Sequence, residues 1–310
     1  MRIAFLGTPD FAVPSLRALA AAGHDIAGVF TQPDRPRDRG QKTQPSAVKQ
    51  AALELGLAVY EFERIRRSEG VAALVALAPD VMVTAAFGQI LSQKILDIPK
   101  LGCVNVHASL LPKYRGPAPI QWAVINGETE TGITAMLTEA GVDTGDILLQ
   151  RKTEVDPCET AGELFGRLAA LGAETIVETL RLLELGLIAR TPQDHSAATH
   201  FPMLEKAHGR IDWNKSPREI VNLVRGVNPW PGAWTMCGCD VMKVWRAEPA
   251  CMAGEPGRIL CVNQRDGLVI GARGGAVRIL DLQMPGKRKL CSAEYLCGCR
   301  LVEGMALDAG

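Results

Sequence analysis

Hydrophobic and polar positions alternate between two periods along the first 189 residues. Residues 3–6 are a short apolar run that stops at Gly7, the pattern of a strand buried on both faces. Residues 14–22 follow with helical spacing and close at Gly23, and 25–31 are a second apolar run. Residues 32–44 are polar and rich in Pro, Gly and Arg, which predicts a long loop. Pro45 opens a helix that runs to Leu55 and stops at Gly56. A short strand at 58–62, a helix at 69–77, and apolar strands at 80–87 and 103–107 continue the alternation. A helix at 117–126 and strands at 133–138 and 147–154 come next. The helix predicted at 160–185 carries Leu164, Leu168, Leu171 and Leu180 among its apolar positions. This order predicts an α/β domain, a Rossmann-like and mostly parallel sheet with helices on both faces. Ligands of such sheets sit beyond the carboxyl ends of the strands, here the segments after Gly7, Thr31, Phe87, Asn105 and Thr138.

The texture changes further on. Residues 190–208 lack periodicity and read as a linker. One helix signal at 217–225 precedes short strands at 233–236, 241–246, 257–262, 267–272 and 276–282, separated by Gly pairs and Asp-Gly turns. A smaller C-terminal β-barrel, OB-like, is the expected closure. The expected organisation is therefore a domain at 1–189, a linker at 190–208 and a barrel domain at 209–310.

Composition narrows the function classes. Of 310 residues, 47% are hydrophobic, which excludes a disordered chain. Apolar runs all fall short of 18 residues, so a spanning helix is not expected. The apolar start ending at Gly7 is too short for a signal peptide. Nine cysteines, odd in number and dilute, read as reduced thiols of a cytoplasmic protein. The pairs Cys237/Cys239 and Cys297/Cys299 are spaced more tightly than usual zinc ligands, so free thiols are expected and no metal. Lys+Arg and Asp+Glu balance at 34 each, yet residues 209–310 hold 14 basic against 10 acidic side chains. A mildly basic tail is compatible with an anionic partner without demanding one.

The first strand-to-helix turn, Gly7-Thr8-Pro9-Asp10, lacks the Gly-x-Gly-x-x-Gly spacing of a nicotinamide site, and a phosphate loop ending in Gly-Lys-Ser/Thr is likewise missing. The densest polar segment is Asn105-Val106-His107-Ala108-Ser109-Leu110-Leu111-Pro112-Lys113-Tyr114-Arg115-Gly116. Asn105 and His107 stand two apart at a strand end, so they share a face and can together polarise a carbonyl. Asp143 follows the 133–138 strand, and a carboxylate there can orient an imidazole or take a proton. With no serine or cysteine placed as nucleophile, direct transfer to an external nucleophile is simpler than a covalent intermediate. Spacing alone leaves open that Asn105 and His107 merely satisfy buried backbone.

The block from 109 to 120, Ser-Leu-Leu-Pro-Lys-Tyr-Arg-Gly-Pro-Ala-Pro-Ile, resembles the signature of the folate-dependent formyltransferases, and Asn105, His107 and Asp143 match that family's catalytic trio. Phe5-Leu6-Gly7-Thr8-Pro9-Asp10-Phe11-Ala12, Val29 through Pro36, Pro45 through Lys49, Arg210-Ile211-Asp212-Trp213, Asn228 through Ala233 and Lys243-Val244-Trp245 extend the resemblance, in order, to the branch acting on methionyl-tRNA. It covers nearly the whole chain.

The resemblance implies transfer of formyl from 10-formyltetrahydrofolate to the α-amine of methionyl initiator tRNA, for translation initiation, by a monomeric cytoplasmic enzyme. It places the folate against Phe87, Gly88, Gln89, Ile90 and Leu91, against Ser109, Leu110, Leu111 and Pro112, and against Glu139, Ala140, Gly141 and Val142. Phe87 stands where a Tyr is common, so any hydroxyl contact there is lost. It assigns tRNA contacts to Arg35, Arg37, Arg39 and Lys42, with Lys49 just beyond, and Arg39 before Gly40 is the leading candidate. Asp38 and Gln41 depart from the pattern and predict fewer contacts. Lys287, Arg288 and Lys289 suit a grip on the RNA backbone, whereas Trp213, Trp230, Trp234 and Trp245 read as core packing before stacking platforms. Formylation of a small amine and a noncatalytic tRNA-binding scaffold remain the rival readings.

Overall fold

The computed structural model describes residues 1–37, 42–263, 265–298 and 301–307. The chain forms two compact units. The first comprises Met1–Pro119, Glu130–Glu154 and Phe165–Phe201. Its elements are β1 (Arg2–Gly7), α1 (Val13–Ala21), β2 (Asp25–Thr31), β3 (Arg35–Arg37), β4 (Lys42–Gln44), α2 (Ala47–Glu54), β5 (Val59–Glu61), α3 (Ser68–Leu77), β6 (Val81–Ala85), α4 (Gln93–Leu96), β7 (Cys103–His107), β8 (Glu130–Leu137), β9 (Ile147–Glu154) and most of α6 (Ala161–Glu184). Its seven-stranded sheet runs β5-β2-β1-β6-β7-β8-β9. The ladders from β5 to β7 are parallel, while β8 is antiparallel to β7 and β9 antiparallel to β8.

The continuous apolar runs are explained by burial on both faces. Ile3, Ala4, Phe5 and Leu6 are all fully buried. Ala4, Leu6, Phe30 and Met82 join Leu74 and Ile95 in one core cluster. On α6, a Cβ at Gly172 would lie 3.0 Å from Val106 and 3.7 Å from Ile133, so this helix packs closely on the face carrying Val106. Asn105 and His107 alternate with Val106 and therefore take the other face. Strand order reverses at β1, with β2 on one side and β6 on the other, which makes a crevice at their carboxyl ends. Gly7 serves this packing rather than a phosphate, because a Cβ there would sit 2.7 Å from the Ala12 methyl.

Some elements differ from the sequence pattern. The segment read as loop from 32 to 44 holds a two-stranded antiparallel ribbon, in which Arg35 pairs with Gln44 and Arg37 with Lys42. The helix expected from Pro45 begins at Ala47, with Ser46 as its cap accepting from the Lys49 amide. Of the stretch read as a linker, the part up to Phe201 belongs to the first unit and is bridged there at Ile147–Thr191 and Arg115–His200.

The second unit comprises Ile120–Thr129, Val155–Leu164 and Pro202–Gly310. It contains most of α5 (Pro119–Ile125), α7 (Pro217–Gly226), β10 (Ala233–Cys237), β11 (Asp240–Ala250), β12 (Ile259–Asn263), β13 (Gly267–Ala272), β14 (Gly275–Gln283), β15 (Leu290–Cys291) and α8 (Ser292–Leu296). The expected barrel strands form an antiparallel sheet ordered β10-β11-β14-β13-β12, with β15 on β14, and among the described residues no ladder joins β10 to β12. Alternate side chains of β10 are buried, as a one-sided sheet requires. The core gathers Trp213, Ile220, Val224, Met242, Val244, Leu268, Ile270, Val277, Ile279 and Leu282, so α7 lays its apolar stripe on the sheet.

The start of α7 is a capping box. The Glu219 amide donates to Ser216 Oγ at 3.3 Å, and the Glu219 carboxylate accepts from the Ser216 amide at 2.9 Å and hydroxyl at 2.7 Å. These Ser216 bonds hold the Glu219 carboxyl below the usual range. A lowered carboxyl pKa stabilises the fold above the unfolded value and loses that contribution as pH falls through the folded one. Ser216→Ala is therefore expected to cost about 1 kcal/mol at pH 7, and less below pH ~4, as Glu219 protonates. Urea unfolding at both pH values checks this, and a difference independent of pH would assign the loss to the hydroxyl cap alone.

Candidate active site

The site forms at the carboxyl ends of β1, β6 and β7. Thr84 on β6 pairs with Asn105 on β7. The Thr84 hydroxyl donates to Asn105 Oδ1 at 2.9 Å, so the amide NH₂ is the end that remains a donor. His107 is 6% exposed. Its Nε2 lies 2.9 Å from the Tyr114 carbonyl. A carbonyl only accepts, so Nε2 carries the hydrogen and Nδ1 is the nitrogen left for chemistry. Asp143 Oδ2 lies 3.6 Å from Nδ1, close enough for an ion pair and too long for a hydrogen bond. The tautomer is thus set by Tyr114 rather than by the carboxylate.

Asp143 is itself held. Its Oδ2 accepts from the Gly116 amide at 2.9 Å, and its backbone sits at φ 51°, a left-handed conformation costly for a residue with a Cβ. Gly116 has φ 105°, and a Cβ there would meet the Phe201 carbonyl at 2.8 Å, so glycine is required both by conformation and by room. The structure therefore brings Asp143 to His107 and sets Asn105 on the same face of β7. Sequence reasoning did not find Thr84, the Tyr114 carbonyl or the Gly116 amide, although the last two lie within the 105–116 block it singled out.

The loop after β6 is tied to the ends of β1 and β2. The Phe87 carbonyl accepts from Thr8 Oγ1 at 3.0 Å and from Gln32 Nε2 at 3.1 Å. The Phe87 side chain is buried and belongs to the core cluster. Gln89 bridges to the Ile65 amide and the Phe62 carbonyl. Leu91 packs on that same core, and Gly88 stands at φ 78°. Ile90 is 75% exposed, and an open cleft of about 280 Å³ is lined by Glu63, Arg64, Arg66, Gly88, Gln89 and Ile90. Glu139, Ala140, Gly141 and Val142 are exposed beside Asp143.

Ser109, Leu110, Leu111 and Pro112 form a turn stitched to β8 and β9. Thr134 donates to the Ser109 carbonyl and accepts from the Leu111 amide, and Gln150 donates to the Leu111 carbonyl. With Ser109 fully buried, this turn shapes the site more than it lines it.

Two family models match the chain: "Formyl transferase" over residues 1–180 and "Formyl transferase, C-terminal domain" over 203–300. The chain belongs to the formyltransferase family. It is 48% identical to "Methionyl-tRNA formyltransferase" of Geobacter metallireducens over 99% of this chain and 98% of that one. Its identity to the protein of the same name in Geobacter sulfurreducens is 49%, over 100% of this chain and 98% of that one. Among solved structures, HypX from Aquifex aeolicus with tetrahydrofolic acid shares the fold at TM-score 0.62 and 21% identity, covering 96% of this chain, which spans 47% of HypX. WlaRD, a sugar 3N-formyl transferase solved with dTDP and 5-N-formyl-THF, matches at TM-score 0.65 and 20% identity, over 93% of this chain and 99% of that one.

The basic residues singled out in the formyltransferase sequence fall in different settings. Arg39 lies outside the described residues, as do the side chains of Arg37 and Lys42, while Arg35 is exposed. Lys49 meets Asp34 at 2.9 Å and Glu61 at 2.8 Å, so it anchors the root of the β3–β4 ribbon instead of offering an unengaged cation. Lys287, Arg288 and Lys289 are all exposed, with Lys289 3.2 Å from Asp281 and Arg288 3.8 Å from Glu294. Of the tryptophans, Trp213 is core, Trp230 is 55% exposed, and Trp234 and Trp245 carry Arg210 and Lys243 over their rings. Cys103 is buried, and burial pushes its thiol up to about 12, which makes it inert. Cys237 is buried and Cys239 exposed, and Cys299 lies outside the described residues. No helix among the described residues is long and apolar enough to cross a membrane.

The hydrogen bonds from Glu61 and Asp34 raise the Lys49 pKa. Such a lysine contributes its full stabilisation below its unfolded pKa and loses it as pH rises through the folded one. Lys49→Met is expected to cost about 1–2 kcal/mol near pH 7, with the difference from wild type closing only above pH ~10. Denaturant unfolding across pH 7 to 11 measures it, and a gap already closed by pH 9 would mean that Lys49 does not hold the two carboxylates together.

Proposed function

We propose that this chain transfers the formyl group of 10-formyltetrahydrofolate to the α-amine of methionyl initiator tRNA, as a monomer in the cytoplasm, supplying formylmethionyl-tRNA for translation initiation. The observation that carries the reading is near 48% identity to methionyl-tRNA formyltransferases across both units, not the catalytic unit alone. The second unit alone does not separate the readings, because the sugar 3N-formyl transferase WlaRD also matches 93% of this chain. The small-amine alternative is disfavoured by this chain's identity to that protein of only 20%, against 48% to the methionyl-tRNA enzyme.

The candidate trio supplies a consistent mechanism. The neutral amine attacks the formyl carbon, a C–N bond forms and the carbonyl oxygen becomes an oxyanion. The Asn105 NH₂, oriented by Thr84, donates to that oxygen. His107, its Nε2 hydrogen fixed on Tyr114, adds a second donor when Nδ1 is protonated, with Asp143 3.6 Å away to balance the charge. The attacking amine gives up a proton, which passes by way of Asp143 or His107 to the folate N10. The bond from carbon to N10 then breaks, releasing tetrahydrofolate.

The folate would lie across the 87–91 and 139–142 loops, meeting Ile90, Val142 and the backbone there, with the 109–112 turn behind. Arg64 and Arg66 in the adjacent cleft suit an anionic tail. Arg35, Arg37, Arg39 and Lys42 would enter the acceptor end of the tRNA, and Lys287, Arg288 and Lys289 its backbone.

Asn105→Ala and His107→Ala are each expected to lower kcat by roughly 10²–10³ with the fold unchanged, since oxyanion donors are worth about that much. Single-turnover formylation of methionyl-tRNA with circular dichroism tests this, and near-normal rates in both variants would remove the trio from the chemistry. Arg39→Glu should raise KM for methionyl-tRNA at least several-fold and leave KM for the folate unchanged. Equal effects on both constants would detach the arginine segment from tRNA.

A further inference from the structure

Gln193 lies in the stretch that showed no pattern in the sequence, yet it is 6% exposed and sits against the loop carrying Asp143. Its Nε2 donates both hydrogens, to the Asp143 carbonyl at 2.9 Å and the Gly145 carbonyl at 2.7 Å. Its Oε1 accepts from Arg115 Nε at 3.2 Å and Nη2 at 2.6 Å. Reversing the amide would set oxygen against two carbonyls and NH₂ against a guanidinium, so the orientation is determined by its neighbours. Arg115 is 4% exposed, and its Nη2 also reaches His195 Nδ1 at 3.1 Å.

The same strip braces the other half of the site. Thr199 Oγ1 accepts from the Tyr114 amide at 2.8 Å, and the Thr199 carbonyl accepts from the Arg115 amide at 2.9 Å. Tyr114 is at φ 60°, a second left-handed non-glycine residue, and its carbonyl is the partner of His107. Two strained backbone positions, each holding one member of the His107–Asp143 pair, are thus fastened to residues 193–199. Asp143 holds φ 51° within a turn, and its carbonyl accepts from Gln193.

We propose that Gln193 is a positioning residue for the reaction: through its two donated bonds and its Arg115 anchor it fixes the distance between Asp143 and His107. The inference rests on the formyl-transfer reading above. The variant Gln193→Glu tests the proposal. It preserves shape and offers Arg115 a carboxylate, but it removes both donated bonds and turns lone pairs toward the Asp143 and Gly145 carbonyls. Displacing a catalytic group by 1 Å costs on the order of 10²-fold in rate. Steady-state kinetics with 10-formyltetrahydrofolate and methionyl-tRNA are therefore expected to show kcat lowered at least tenfold, with both KM values nearly unchanged and the far-UV circular dichroism of the fold retained, although the loss of two buried hydrogen bonds lowers Tm. Amide hydrogen exchange of residues 142–146 should accelerate. Gln193→Ala serves as the second variant and should show the same exchange and kcat changes. A wild-type kcat in the Glu variant, or a loss of kcat matched by rises in both KM values, overturns the proposal. So does unchanged exchange at 142–146. Exchange needs no turnover, so an inactive wild-type protein would sink the formyl-transfer reading while this measurement still decides the role of Gln193.

Discussion

The pleat of β7 is the constraint on which the site depends. Successive side chains of a strand point to opposite faces, so Val104 and Val106 can be apolar and buried while Asn105 and His107 face the other way. The close approach of α6 at Gly172 presses on Val106 and Ile133, and the antiparallel ladder to β8 holds His107 opposite Thr134. Slipping this pairing by one residue would turn the amide and imidazole into the apolar layer. Polar groups so placed must find partners. Thr84 answers Asn105, and the Tyr114 carbonyl answers His107. Each partner uses one end of its group and leaves the other end oriented.

What was legible in the sequence is what depends on period and on local turn chemistry. The strands at 3–6, 25–31 and 103–107 show as apolar runs because both sheet faces are covered, and the long helix shows because its stripe is regular. Asn105 and His107 were visible as a pair two apart. Asp143 was visible only as a carboxylate after a strand, and its meeting with His107 needs a backbone conformation that spacing does not encode. The β3–β4 ribbon was hidden because Pro, Gly and Arg dominate its composition, and three-residue strands carry no measurable alternation. Gln193 and Thr199 were hidden for a different reason. Their value is a set of hydrogen bonds to backbone carbonyls and amides far away in sequence, and nothing in their immediate neighbours signals that.

Expectations about charge fared differently from those about hydrophobicity. Lys49 reads as part of a basic run, but a cation 2.8–2.9 Å from two carboxylates is a structural joint. Lys289 and Arg288 likewise lie near carboxylates, though both remain exposed and their pairing is weak in water. Sequence counts charges without knowing which are already compensated. The tryptophans show the same limit in reverse: core packing describes Trp213, while Trp234 and Trp245 lie under cations and Trp230 is open.

Strain explains why the candidate site is braced so heavily. Asp143 and Tyr114 both occupy left-handed backbone without being glycine, and each such position costs of order 1–3 kcal/mol. An unbraced loop would relax and carry the carboxylate away from the imidazole. The Gly116 amide restrains the Asp143 side chain, Gln193 its carbonyl, and Thr199 the backbone of Tyr114 and Arg115. These bonds come from elements that have little else in common in sequence, which is how a fold turns weak individual interactions into a fixed geometry. A gap of 3.6 Å between Asp143 and Nδ1 then acquires meaning. It is too wide for a hydrogen bond, so a hydrogen on Nδ1, when that nitrogen is protonated, is not already committed to the carboxylate.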